Sequence, residues 1–87
     1  DTVARYYNIT TKDIISPTRK SNIAFPRQIA MYICRIKTSF SLPVIGKYFA
    51  DRNHTTVLYA CDKVAEKIRT DKDVERDVNE LISKLTY

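Results

Sequence analysis

The sequence is poor in residues that interrupt helices, with one Gly and three Pro among 87 residues. So few turn-forming residues argue against a β-sandwich and favour an all-helical chain. A single His and two Cys, with no C-x-x-C spacing, leave a zinc site without ligands. There is no long apolar run and no signal peptide, so the sequence predicts neither a membrane span nor secretion.

What the sequence does contain is enough apolar material for one small core. Hydrophobic residues make up 44% of the chain, which supports folding and argues against disorder. The length predicts a single domain over residues 1–87. Cys34 and Cys61 lie within apolar helical patterns, so we expect buried free thiols in a reducing cytoplasm.

The charge is distributed unevenly along the chain. Residues 1–69 carry twelve Lys/Arg and five Asp/Glu, a net +7, whereas residues 70–87 carry three and five, a net −2. A basic body of this kind suits a polyanionic partner such as nucleic acid. It is equally compatible with a solvated basic surface, so charge alone leaves both interpretations open.

Hydrophobic periodicity and capping residues predict six helices, of which the first two are short. They are Val3–Tyr7, a turn carrying Ile14 and Ile15 capped by Thr10 or Thr11, a helix with Pro26 in its first turn, Leu42–Phe49, His54 to about Arg69, and about Lys72 to Leu85. The basic segment from Ser16 to Asn22 is predicted to be a loop.

The apolar positions of the three longer helices recur every three or four residues, which predicts a buried stripe on each. These stripes are Ile29, Ile33, Ile36 and Phe40; then Val57, Cys61, Val64 and Ile68; then Val74, Val78, Leu81, Ile82 and Leu85. Polar residues of the third helix, including Arg27 and Arg35, are expected to lie mostly off its stripe.

A short helix, a polar turn at residues 50–53 and a longer helix form a helix-turn-helix pattern. In that motif the first turn of the second helix contacts base edges in the major groove. Thr55 and Tyr59 point away from the apolar stripe of their helix, and Thr56 lies at the edge of the exposed face. The alternative is an ordinary capped helix start, and periodicity does not separate the two.

Three segments carry a resemblance to a known family: residues 26–32 (PRQIAMY), 41–46 (SLPVIG) and 52–60 (RNHTTVLYA). Together they resemble the C-terminal DNA-binding domains of the DnaA family of bacterial chromosomal replication initiators. That family's signature is close to FGGRDHTTVLHA at a fixed distance after PRQ. The resemblance covers essentially the whole chain and implies a TrpR-like, all-α helix-turn-helix fold.

The resemblance also implies a function. Initiators of this family bind short asymmetric boxes at the replication origin and oligomerise there through a separate ATP-binding domain. This chain is then a monomeric, non-enzymatic fragment of a cytoplasmic, nucleoid-associated protein. Its partner is double-stranded DNA; it needs no metal or cofactor of its own, and ATP or ADP with magnesium belongs to the absent domain.

Roles of individual residues follow from the same resemblance. It places Arg19 in the minor groove, within a basic loop that includes Lys20. The positions that match phosphate-contacting residues are Arg27, Gln28, Arg35 and Thr56. The positions that match major-groove residues are Pro43, Asn53, His54, Thr55 and Tyr59, and we expect Leu42 and Arg52 in the same interface.

Several positions depart from the family pattern. Ala50 and Asp51 replace two glycines, Asn53 replaces the signature Asp, and Tyr59 replaces a His. Ser21 and Phe25 stand where the family often has Arg. Asn can donate as well as accept hydrogen bonds, unlike Asp, so the base preferred at that contact can differ from the family's.

Three other functions are compatible with parts of the pattern. A helix-turn-helix transcription factor unrelated to replication would give a footprint at a promoter rather than an origin. A protein-interaction domain would bind acidic peptides and show no sequence preference on duplexes. An enzyme is the least supported, because His54 has no Cys or Ser nucleophile at motif spacing and no glycine-rich phosphate loop exists.

Overall fold

The computed structural model describes residues 2–16, 20–49 and 52–85, and all regular structure within those ranges is helical. The all-α prediction is therefore confirmed for this part of the chain. Two segments are single turns and four are longer helices: α1 Thr2–Tyr6, α2 Thr11–Ile15, α3 Ser21–Lys37, α4 Leu42–Tyr48, α5 His54–Thr70 and α6 Lys72–Leu85.

Local capping chemistry explains where three of these helices begin. The Thr10 hydroxyl accepts from the Asp13 amide at 2.9 Å while the Asp13 carboxylate accepts from the Thr10 amide, a reciprocal capping box. The side chain of Asn53 accepts from the Thr56 amide at 2.9 Å at the start of α5. Asp71 caps α6 in the same manner.

The core forms where α3 and α5 pack against each other, with α4 and α6 packed on α5. Val57, Cys61 and Val64 are buried as predicted, and Ile68 is half-buried against the core. In α6, Val78 and Leu81 are buried and the flanking Val74 and Ile82 are half-buried, whereas the side chain of Leu85 lies outside the described part.

The stripe predicted for α3 is only half right. Ile29 and Ile33 are buried, but Ile36 is 46% exposed and Phe40 is 48% exposed. The reason is that α3 ends at Lys37, so Phe40 follows the helix and stacks on Tyr48 instead. The core takes Ile23 and Met31 from other positions of the helix.

Helix α3 also begins earlier than predicted. It starts at Ser21, so Pro26 lies in the second turn rather than the first, and Asn22 and Phe25 are already helical. Proline has no amide hydrogen, so the helix lacks the bond that residue 26 would donate to the carbonyl of residue 22. Packing overrides this penalty, because Pro26 itself is buried.

The first and last helices are tied together at their polar edges. The Tyr6 hydroxyl donates to Asp77 Oδ1 at 2.9 Å, and Lys84 Nζ lies 5.5 Å from the centroid of the Tyr6 ring. Val3 of α1 is buried in the core. The acidic α6 thereby packs on the N-terminal end of the chain and positions α1 against the core.

The chain's single glycine lies under the turn between α4 and α5. The Gly46 carbonyl accepts from the amides of Phe49 at 3.1 Å and Arg52 at 2.9 Å, which folds the chain back on α4. A Cβ atom at this position would collide with the backbone carbonyl oxygen of Arg52. Only glycine permits this close approach without a shift of the turn.

The two cysteines are free, as expected, but they differ in burial: Cys61 is buried and Cys34 is only half-buried. Burial raises the pKa of both thiols above the ordinary value, so both are protonated and unreactive at neutral pH. Within the described ranges no group of three or more His, Cys, Asp or Glu residues is placed to hold a metal ion. None of the helices described combines the length and apolar character needed to cross a bilayer.

Candidate nucleic-acid interface

The first turn of α5 presents a row of polar side chains to solvent. His54, Thr55 and Thr56 are all exposed, and Val57 behind them is fully buried. Because Asn53 caps only one of the free amides, the remaining first-turn N–H groups point outward with a partial positive charge. No acidic residue lies in this turn. The arrangement can accept an anionic oxygen, such as a phosphate, beside hydroxyl groups that can contact base edges.

A small cleft of about 80 Å³ lies between α3 and α5 next to this turn. It brings together five of the positions assigned to DNA by the resemblance, and Ala24 contributes to its wall. Those five are Arg27, Gln28, Arg52, Thr56 and Tyr59. Residues separated by more than thirty positions in the sequence therefore lie on one surface, which periodicity alone did not establish.

Arg27 does not lie off the buried stripe as expected, because its side chain is only 4% exposed. Its Nε donates to the Ile14 carbonyl at 2.6 Å and its Nη2 to the Asp13 carbonyl at 3.2 Å. Desolvation and the nearby charge of Arg52 lower its pKa from the ordinary arginine value. The guanidinium thus fastens α3 to the end of α2, and its contact with phosphate stays a prediction.

Arg52 is half-buried and likewise bonded to backbone carbonyls. Its Nη1 donates to the Phe49 carbonyl at 2.6 Å and its Nη2 to the Ser16 carbonyl at 3.2 Å. These bonds place the residue just before Asn53 in contact with the end of α2. The sequence shows an arginine at a signature position, but it does not reveal a partner 36 residues away.

The start of α4 contributes a second exposed edge. The Ser41 hydroxyl accepts from the Val44 amide at 3.4 Å and caps the helix. In its first turn Pro43 is exposed and Leu42 is half-buried. Arg35 is exposed on α3, and its positive charge partly opposes the rise that burial causes in the pKa of the Cys61 thiol. The structure does not gather Arg35 into the cleft that contains Arg27 and Gln28.

Beyond the first turn, the exposed face of α5 carries charge of both signs. Tyr59 is 62% exposed, and Lys63 Nζ lies 6.0 Å from its ring centroid, at the limit of a cation–π contact. Asp62 and Glu66 border a shallow cleft with these two residues. Carboxylates here would repel a phosphate backbone, so the geometry favours contact through the N-terminal end of α5.

The basic segment from Ser16 to Asn22, predicted to be a loop, is only partly described, and its last two residues belong to α3. Lys20 is exposed at the N-cap of α3, where its side chain makes no capping bond to the helix. Arg19, assigned to the minor groove by the resemblance, lies outside the described residues, as do Ala50 and Asp51 of the turn.

Sequence reasoning missed two contributors to this surface. Gly46, which lets the turn before α5 close, had a visible signal because it is the only glycine in the chain. Lys63 also had one, because it lies four residues after Tyr59 on a helix, where side chains are neighbours.

Comparison with known proteins connects this surface to a family. The family model described as the bacterial dnaA protein helix-turn-helix matches residues 1–64. The chromosomal replication initiator proteins DnaA of Lactococcus lactis subsp. cremoris and subsp. lactis are each 46% identical over 84 residues, which is 97% of this chain. The chain spans 18% of the length of these relatives. The matched module is a helix-turn-helix, for which no enzymatic activity is expected. The chain therefore belongs to the bacterial DnaA helix-turn-helix family.

Proposed function

We propose that this chain binds double-stranded DNA by sequence at replication-origin boxes, as part of chromosomal replication initiation. The observation that carries the proposal is the first turn of α5, where His54, Thr55 and Thr56 are exposed together with no carboxylate among them. The TrpR-like arrangement has α4 packed on α5 and the start of α5 free to enter the major groove.

Two kinds of contact contribute to this binding. Gln28 and Thr56 line the cleft beside the first turn and suit phosphate oxygens, which fix the register of the protein on the duplex. Thr55 and Tyr59 project from the exposed face and suit base edges; Thr can also place its methyl against that of thymine. Arg19, from the basic segment before α3, occupies the adjacent minor groove.

The oligomeric assembly on the origin and the nucleotide dependence belong, in this proposal, to other parts of the parent protein. The Lactococcus relatives are more than five times longer than the matched segment, which leaves room for an ATP-binding domain. On its own, the chain then acts as a monomeric DNA-binding module. ATP and magnesium contribute nothing to its affinity for an isolated box.

A mobility-shift titration with an origin box and a scrambled duplex of equal composition tests the proposal. Thr55→Ala removes a base contact without a change of charge, so it should weaken box binding by about 1–3 kcal/mol and leave scrambled-duplex binding nearly unchanged. Thr70→Ala is the matched control, since Thr70 is exposed at the opposite end of the same helix. Equal losses on both duplexes from Thr55→Ala would contradict readout by α5.

Asn53→Asp tests the base preference separately. Aspartate retains the cap on the Thr56 amide but can only accept hydrogen bonds, so the preferred partner should move toward a cytosine amino group. The added charge should also weaken nonspecific binding somewhat. Competition with single-base variants of the box measures the shift, and circular dichroism confirms the fold. An unchanged preference profile would place Asn53 outside the readout.

A further inference from the structure

Two arginines from distant parts of the sequence converge on the end of α2. Arg27 donates to the carbonyls of Asp13 and Ile14, and Arg52 donates to the carbonyl of Ser16. The last carbonyls of a helix have no partner within the helix, so their donors come from elsewhere; the Asp13 carbonyl also accepts from the amide and the hydroxyl of Ser16. The two guanidinium groups supply donors to carbonyls in the last turn and C-cap of α2.

Burying a guanidinium group beside a second positive charge is energetically unfavourable, which indicates that these arginines do more than fill the core. Arg27 is almost fully buried, and the charge of Arg52 acts unfavourably on it. Burying one cation and holding a second nearby is unfavourable unless their hydrogen bonds compensate. A core made only of apolar residues would avoid that cost, but it could not donate hydrogen bonds to the carbonyls at the end of α2.

Arg52 joins two chain segments, one that leads to the start of α5 and one that leads to the basic segment before α3, and both are proposed to contact DNA. Its Nη1 bonds the Phe49 carbonyl at the end of α4, and its own main chain leads directly into the cap of α5. Its Nη2 bonds the Ser16 carbonyl, three positions before Arg19 in the sequence. One planar guanidinium therefore bonds both to the chain segment that leads into the recognition helix and to the segment that leads into the basic residues before α3.

We propose that Arg52 is a positioning residue that fixes the end of α2 relative to the start of α5, so that the basic segment and the recognition helix bind DNA in one register. This inference rests on the function proposed above. It assigns Arg52 a role through backbone carbonyls of the protein, rather than through direct contact with phosphate. Productive recognition needs such a support, because small displacements of a contacting group lose much of its binding energy.

The planar shape of arginine distinguishes this role from one of charge alone. A guanidinium donates in several fixed directions from one rigid fork, whereas a lysine ammonium is a single point charge at the end of a flexible chain. Arg52→Lys therefore keeps the charge but cannot reproduce the two carbonyl bonds at once. Arg69→Lys, an exposed arginine near the end of α5, is the matched control for the same chemical change.

The experiment measures binding of the 87-residue chain to an origin box and to a scrambled duplex by fluorescence anisotropy. Arg52→Lys should lose roughly tenfold in box affinity while scrambled-duplex affinity changes little, and Arg69→Lys should change neither. Thermal unfolding followed by circular dichroism establishes that each variant is folded at the assay temperature. Should Arg52→Lys not be folded there, Arg52→Gln, which keeps one amide donor, takes its place with the same expected loss.

A double-mutant cycle with Arg19→Ala separates positioning from direct phosphate contact. If Arg52 positions the basic segment, Arg19→Ala should cost much less in the Arg52→Lys background than in the wild type. Additive losses, or a box affinity of Arg52→Lys equal to that of the wild type, would overturn the inference while leaving the proposed function intact. A wild-type chain that does not prefer the box would overturn both.

Discussion

The starts of α5 and α6 are capped in the same way but differ in charge. At α5, Asn53 accepts from the Thr56 amide, and the first turn holds no acidic residue. At α6, Asp71 accepts from the Asp73 amide at 2.9 Å, and the first turn includes two carboxylates. Because a helix start carries a partial positive charge, α6 neutralises its own, whereas α5 leaves that charge available to an external anion.

This difference teaches that the cap does not decide which helix start can bind an anion. A capping side chain satisfies one or two amides in both helices, and the acidic or neutral character of the next four residues determines the rest. The surroundings agree with this division. Helix α6 packs on α1 through the Tyr6–Asp77 bond, whereas the start of α5 is bordered by the cleft that Gln28 lines.

The largest effect is expected from giving α5 the charge pattern of α6. Thr55→Asp places a carboxylate in the first turn, where it competes with phosphate for the same amides, so box affinity should fall roughly 100-fold. The same substitution should raise the free energy of unfolding by about 0.3–1 kcal/mol, because it complements the helix dipole. Fluorescence anisotropy and urea denaturation measure the two quantities.

The reciprocal change in α6 is the control for this prediction. Asp73→Asn removes one of the two first-turn carboxylates and should leave box affinity within about twofold, since α6 takes no part in the proposed contact. If Thr55→Asp binds the box as well as the wild type, the first turn of α5 does not meet phosphate or bases.

The turn that leads into α5 should be more sensitive to substitution than the short junction before α6. Gly46→Ala introduces a Cβ that collides with the Arg52 carbonyl, so it should lower the free energy of unfolding by about 1–3 kcal/mol. The sign is the test, because Gly→Ala in an unconstrained helix raises stability by about 0.5–1 kcal/mol. Urea denaturation showing a gain would refute the close approach.

Removing the two caps should have equal effects on stability and unequal effects on binding. Asn53→Ala and Asp71→Ala should each lower the free energy of unfolding by about 1 kcal/mol, because each leaves helix amides without a partner. Only Asn53→Ala should also reduce box affinity. Parallel urea denaturation and anisotropy titrations of both variants test this, and equal losses of affinity would remove the functional distinction between the helix starts.

The smallest expected effect is on the free energy of unfolding at alkaline pH, through the two tyrosines at the end of α1, Tyr6 and Tyr7. Hydrogen bonding of the Tyr6 hydroxyl to the carboxylates of Glu80 and Asp77, which accept, raises the pKa of Tyr6 above its ordinary value, and burial raises the pKa of Tyr7 to about 12. A phenol whose pKa is higher in the folded state stabilises the protein below the unfolded value of about 10. That contribution should be lost as pH rises from about 10 to 12.

Tyrosine variants isolate this loss from the titration of lysines in the same range. The free energy of unfolding of the wild type should fall between about pH 10 and pH 12 by more than that of Tyr7→Phe, measured by urea denaturation. Identical falls in both proteins would contradict a raised pKa for Tyr7.

Features set by local chemistry were predictable from the sequence. The pattern predicts a helix from His54 to about Arg69, and the structure has His54–Thr70, because Asn53 supplies a cap and the apolar spacing continues for about three turns, from Val57 to Ile68. The start of α6 at Lys72 is confirmed for the same reason. The exposure of Thr55 follows from helical geometry alone.

Features set by distant partners were not predictable. Ile36 fits an apolar stripe by spacing, but whether it is buried depends on which helix packs there, and it is exposed. Arg27 is polar and was expected at the surface, yet carbonyls at the end of α2 accept its hydrogen bonds in the interior. The bond from Arg52 to Ser16 spans 36 residues, a separation at which no local pattern gives a signal.

Gly46 has a consequence for reprogramming this domain. The residue that allows the turn to close is separate from the residues on the first turn of α5, so a combinatorial library can vary Thr55 and Tyr59 while the scaffold stays constant. Such a library should hold position 46 at glycine, because any side chain there displaces the Arg52 carbonyl. Because α5 also packs on α3 and Arg52 bonds the end of α2, the whole domain, rather than the α4–turn–α5 unit alone, is the scaffold for such a library.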